Sequence, residues 1–251
     1  PGSLDDVRIY SRALSANEVS SLYNAYSAKV KAPNNTGLVG YWSFDDCRRD
    51  KASDSSGYGN TGTLTNFALS GSTSNYISGS QAKRGCALNF DGTNDYVDAG
   101  VMSSMESQSA LTIMSWIKMS VQDGRISSIL MREGSDRLIL APSQSGVGDD
   151  NDILALITGS NYCYTNSNVI PLNTWTHVGL VFDGSLTGNT NRLKIYVNGV
   201  VQAATCAGTI PATTGVASGY PTRLGPYTGY SYFPGSLDDV RIYSRALSAN
   251  E

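Results

Sequence analysis

Apolar and polar residues alternate along most of this chain, the period-2 signature of strands that bury one face. Over 174–183, Thr176, Val178, Leu180 and Phe182 point one way, and Trp175, His177, Gly179 and Val181 point the other. Over 192–197, Leu193, Ile195 and Val197 share a face opposite Lys194 and Tyr196. Asn198-Gly199 then predicts a type I′ turn into Val200-Val201, because both turn positions need a left-handed backbone. Further strands are predicted at 38–44, 88–90, 96–99 and 111–119, each bounded by Gly, Asn or Asp. A chain of such segments predicts two antiparallel sheets packed face to face.

One segment follows the helical period instead. Ser15-Ala16-Asn17-Glu18 reads as a capping box, and Val19, Leu22, Tyr23 and Tyr26 form an apolar stripe behind it. A polar linker with Pro33, residues 29–36, separates this helix from the β-rich part.

The chain also repeats itself. Pro1–Glu18 and Pro234–Glu251 are the same eighteen residues, PGSLDDVRIYSRALSANE, a period of 233 residues. That is too long for a solenoid unit and a natural size for a whole β domain. The expectation is one period, plus an overlap, of a tandem array of near-identical domains. The alternative is a single natural domain whose end was duplicated by cloning or circular permutation. On the array reading, residues 1–28 are the last strand and helix of a preceding repeat, 29–36 the linker, and 37–251 the domain itself.

Charged residues make up 16 % of the chain and the net charge is −3, which gives no electrostatic reason to expect nucleic acid or an anionic membrane. No apolar run approaches the ~20 residues of a membrane helix. Gly (26) and Tyr (15) are abundant, as suits many strands joined by tight turns. The four cysteines are too widely spaced for a CxxC redox or zinc site. Four cysteines allow three pairings. Cys47–Cys86 and Cys163–Cys206 are expected, because each pair lies within one half of the chain and flanks hairpin-like segments. Disulfides imply an oxidising, extracellular or cell-surface setting.

Seven segments then occur in a telling order: LVGYWSFDD, DSSGYGNTGTL, CALNFDGTNDYVDAG, LTIMSWIK, NTWTHVGLVFDG, KIYVNG and FPGSLDDVRIYSRALSANE. Together, over 37–251, they resemble the laminin G-like jelly-roll modules of the concanavalin A-like lectin/glucanase superfamily. The resemblance implies an all-β jelly roll of roughly a dozen strands, with one short helix at the repeat junction. It also implies that the closing strand, 236–243, lies beside the opening strand, 38–44. Two copies of that closing strand are present and one domain has room for one. Either Pro1–Tyr10 folds with a preceding domain, in series, or it is donated between units; an apolar edge of this kind invites pairing.

Catalysis lacks parts. Only Glu18, Glu106, Glu133 and Glu251 are glutamates, and no strand carries the closely spaced carboxylates of a glycosidase. His177, the single histidine, has no identifiable Ser or Cys partner. Calcium is the better candidate. The segment 54–62 combines Asp54, Asn60 and the glycines Gly57, Gly59 and Gly62, a source of carboxylate, amide and carbonyl oxygens. The resemblance implies an ion between this loop and the acidic pair Asp238-Asp239. The plain alternative is a turn held by Asx hydrogen bonds. Two weaker acidic loops are 149–152 and 91–95. Glycan platforms need aromatic rings with polar rims, and two places qualify: Trp175, His177, Lys194 and Tyr196 on one strand face, and Tyr227 and Tyr230 beside Arg223. The expectation is a non-catalytic extracellular repeat module of a surface or matrix protein or fibre, adhesive or structural, stiffened by calcium and disulfides. Its partners would be identical repeats and glycans. The competing reading is a carbohydrate-binding module attached to a polysaccharide-active enzyme.

Overall fold

The computed structural model describes residue 10 and residues 12–15, 35–47, 50–67, 75–121, 126–134, 137–143, 152–166, 168–216, 219–225, 232–249 and 251. The chain divides into two compact units, Pro1–Asn35 with Glu251, and Thr36–Asn250. Most of the first unit, including the predicted helix over 19–26 and the first copy of the repeat up to Ile9, lies outside the described residues.

The second unit is the expected sandwich. Its first sheet contains β1 (Leu38–Trp42), β4 (Tyr76–Ser78), β5 (Cys86–Asp91), β7 (Ala110–Met119), β12 (Thr176–Asp183), β13 (Leu193–Val197), β14 (Val200–Val201) and β17 (Pro234–Tyr243). The second sheet contains β2 (Lys51–Ala52), β3 (Gly62–Thr65), β6 (Tyr96–Asp98), β8 (Leu130–Arg132), β9 (Leu138–Ser143), β10 (Asp152–Thr158), β11 (Asn161–Thr165), β15 (Ala204–Ala207) and β16 (Thr222–Leu224). All described pairings are antiparallel. One α-helical turn, α1 (Asn189–Arg192), leads into β13 and was not legible as a helix.

The alternation read from the sequence sets the core. Val178, Leu180 and Phe182 of β12 and Leu193 and Ile195 of β13 are fully buried between the sheets. They meet Leu130, Leu138, Leu140, Ile153 and Ile157 from the other sheet in one cluster. Asn198 and Gly199 have φ of 49° and 79°, as the type I′ turn requires. Both expected disulfides are present. Cys163–Cys206 joins directly opposed residues of β11 and β15.

The closing strand holds the middle of the first sheet. β7 runs along one side of β17, while β5 pairs with its first half and β1 with its second. Leu237, Val240 and Ile242 all point into the core. Residues three apart cannot share a face of a regular strand, so the parity must shift between Leu237 and Val240. A bulge makes that shift: the register against β7 breaks between Asp238 and Arg241, and Asp239 adopts φ 50°.

Candidate functional site

The residues between the core positions form the outer face of the first sheet. Trp116 of β7 stands opposite His177 of β12, their rings 5.2 Å apart in an edge arrangement. The Lys83 ammonium lies 3.8 Å from the centre of the Trp116 ring. Tyr196 and Met114 flank Gly179, whose lack of a side chain leaves the sheet surface low between them. Trp175 falls on the same face by alternation, and its indole N–H donates to the Gln81 carbonyl at 3.1 Å. Four of the predicted platform residues, Trp175, His177, Lys194 and Tyr196, therefore share this face. Tyr227 and Tyr230 lie outside the described residues. Arg223 belongs to the other sheet and is held by Asp98 at 3.2 Å and Glu133 at 2.5 Å.

Burial pushes the His177 pKa down, the Arg241 and Lys83 cations add to that, and Asp239 opposes them. Its ring packs edge-on against Trp116.

Next to this strip lies a pocket of about 320 Å³, lined among others by Gln81, Asn89, Lys118, Ser120, Asn173 and Ser236. Strand register builds its floor: Ser236 of β17 sits between Asn89 of β5 and Lys118 of β7. The Ser236 hydroxyl donates to Asn89 Oδ1 at 3.0 Å, and the Ser120 hydroxyl donates to the Pro234 carbonyl at 3.1 Å. Gly235 has φ 151°, and a Cβ there would run into the Lys118 carbonyl. Only glycine lets β17 approach β7 this closely. None of the lining residues is acidic. Sequence reading passed over Lys118, Asn89 and Ser236 because each is ordinary alone, although Lys118 continues the outward set of Met114 and Trp116.

The segment 81–86 walls both pocket and strip. The Arg84 amide donates to Asp238 Oδ2 at 3.0 Å, and the Cys86 amide donates to Asp45 Oδ1 at 3.1 Å. Between them Gly85 has φ 54° and leaves no room for a Cβ against the Asp45 carboxylate. Cys47–Cys86 closes the same segment covalently. Asp238 is 1 % exposed, and its Oδ1 has no hydrogen-bond partner. Burial lifts its pKa to about 7 against two main-chain hydrogen bonds, with the Asp239 and Asp45 charges adding to the rise.

The predicted calcium donors divide on these facts. Asp54 Oδ1 accepts from the Tyr41 and Ser56 amides at 2.9 Å each. Its Oδ2 accepts from the Ser56 hydroxyl at 2.9 Å and the Asn60 amide at 2.8 Å. All four lone-pair directions are taken. The Asn60 side-chain N–H donates to the Val39 carbonyl, and the Asn60 main-chain carbonyl accepts from the Trp42 indole. Asp239 accepts from the Tyr41 hydroxyl at 2.6 Å and from Arg241 at 3.3 Å. Asp54 thus has no oxygen open to a cation as it stands, whereas Asn60 Oδ1 and Asp239 Oδ2 accept no hydrogen bond among the described residues. Asp238 likewise has an open oxygen, a buried one, with Asp45 as neighbour. Among the described residues no three His, Cys, Asp or Glu side chains converge, so an ion at Asp238 would also draw on main-chain oxygens. The weaker loops are not open cages either. Asp91 caps the amides of Thr93 and Asn94, Asp95 accepts from the Asp91 amide, and Asp152 accepts from the Thr165 hydroxyl. Residues 149–151 lie outside the described residues.

Known proteins share this architecture. Domain 4 of AbnA, a GH43 extracellular arabinanase from Geobacillus stearothermophilus solved in complex with arabinotriose, is 20 % identical; it matches over 85 % of this chain and 95 % of that one, with a TM-score of 0.62. Trypanosoma rangeli sialidase, in complex with a difluoro-KDN, is 15 % identical over 94 % of this chain but only 38 % of its own, with a TM-score of 0.56. Botulinum neurotoxin type C, whose cell entry depends on two ganglioside molecules, is 13 % identical over 86 % of this chain and 50 % of its own, with a TM-score of 0.55. At these identities the likeness is one of fold. No curated protein matches the sequence. The profile of the concanavalin A-like lectin/glucanases superfamily matches residues 91–251, well over half of the sequence. This chain belongs to the concanavalin A-like lectin/glucanase superfamily.

Proposed function

We propose that the protein is a non-catalytic, extracellular glycan-binding module, used in tandem copies for adhesion. The observation that carries this reading is the 320 Å³ pocket, rich in amides and hydroxyls, beside an aromatic strip and lined by no carboxylate. A glycosidase needs two facing carboxyl groups, roughly 5–9.5 Å apart. A binding site needs only polar groups that fix orientation and apolar surface that excludes water. The arabinotriose bound by the arabinanase domain and the gangliosides of the neurotoxin lend support to a glycan. The repeated segment supports neighbouring identical modules as partners, because weak sites on one polymer gain avidity.

Calcium enters this reading as a structural ion at Asp238 and Asp45. There it would tie the closing strand to the segment 81–86, and so hold Gln81 and Trp175 at the pocket mouth.

Binding to an array of neutral and acidic glycans tests the reading. Retention on one glycan class, lost in Trp175→Ala with the fold intact, is the expected result. Hydrolysis of any bound glycan, or the absence of binding with and without calcium, would count against it; the second outcome would favour a purely structural spacer.

A further inference from the structure

The pocket is unbalanced in its hydrogen-bonding groups. Lys118 offers an ammonium that has no hydrogen bond or ion pair among the described residues, and the side chains of Gln81 and Asn173 are likewise uncommitted. Asn89 has its Oδ1 filled by Ser236, which leaves its N–H donors for a ligand. No acid lines the cavity. The acids further along β17 are withdrawn from it: Asp238 is buried against the Arg84 amide, and Asp239 is taken by Tyr41 and Arg241.

A neutral sugar offers hydroxyls that both donate and accept, and it would leave the ammonium without a counter-charge. A carboxylate is acceptor-only and supplies one, in charge-assisted hydrogen bonds that are the stronger kind. Lys83 and Lys194 share the outer face with the Asp239-paired Arg241, on a protein whose net charge is −3.

We propose that this pocket takes a carboxylate-bearing sugar, its acid group set on Lys118 and the Asn89 and Asn173 amides, with Trp175 bordering the sugar ring. The proposal rests on the glycan-binding reading and narrows it to acidic glycans.

Calorimetric titration of the full chain with tri-galacturonate, its methyl ester and arabinotriose tests it. Tri-galacturonate is expected to bind at least about tenfold more tightly than its ester, and less tightly as salt rises. Lys118→Gln is expected to bring acid and ester to equal affinity, while Trp175→Ala weakens both. Equal affinity of the unaltered chain for acid and ester would overturn the acidic preference and leave glycan binding standing. Binding of none of the three sugars would overturn both readings.

Discussion

Trp175 and Gln81 are ninety-four residues apart in sequence, yet the indole N–H of one meets the carbonyl of the other at 3.1 Å. That bond fastens the start of β12 to the segment 81–86, and so joins two walls of the pocket. Trp175→Phe keeps a ring and removes the donor. It is expected to cost at most about 1 kcal/mol in global stability. Its larger effect should be faster amide exchange at residues 81–86, measured by hydrogen–deuterium exchange.

Cys47–Cys86 clamps the same segment, whereas Cys163–Cys206 ties β11 to β15 in the other sheet. Replacing either pair by serine should lower stability by about 2–4 kcal/mol in urea unfolding. Only loss of Cys47–Cys86 should also weaken glycan binding. Equal loss of binding in both variants would break the link drawn between this disulfide and the pocket.

Asp238 sets a pH dependence whose sign is unusual for a carboxylate. Its folded pKa of about 7 stands above the ordinary 3.8, so the native state holds the extra proton between those values. In chelator, this group's contribution makes the protein lose stability as pH rises from about 4 to about 7, by roughly 1–4 kcal/mol. Asp238→Asn should flatten that slope. Calcium, which favours the ionised carboxylate, should raise Tm most at pH 8 and least at pH 4. Thermal melts with and without calcium across this range check all three statements.

Gly235 lets β17 lie close against β7 at the pocket floor. Gly235→Ala places a Cβ against the Lys118 carbonyl at a backbone angle that favours glycine. A loss of more than about 1 kcal/mol is expected, together with weaker binding in the pocket. Gly57→Ala serves as a control: it has φ 91° but nothing within reach of the added methyl, so it should show the backbone cost alone.

Local order was legible and convergence was not. The alternation of β12 and β13, the Asn198-Gly199 turn and the outward set from Trp175 to Tyr196 follow from period 2 and turn chemistry, which act within a few residues. The pocket is assembled from Gln81, Asn89, Lys118, Asn173 and Ser236, four or more segments that no local pattern relates. The glycine-rich stretch after Asp54 has the composition of a cation loop, but composition does not tell whether a carboxylate faces an ion or its own amides. Here four donors fill it. The bulge at Asp238-Asp239 had a signal in plain view. Leu237 and Val240 are apolar at odd spacing within a strand otherwise in step, and only an extra residue lets both reach the core.

The strand that comes late in chain order fills the centre of its sheet. During synthesis β7, β5 and β1 emerge first, and their inner edges have nothing to pair with until residues 234–243 leave the ribosome. Such long-range closure makes for slow folding and a lengthy period of exposed edges.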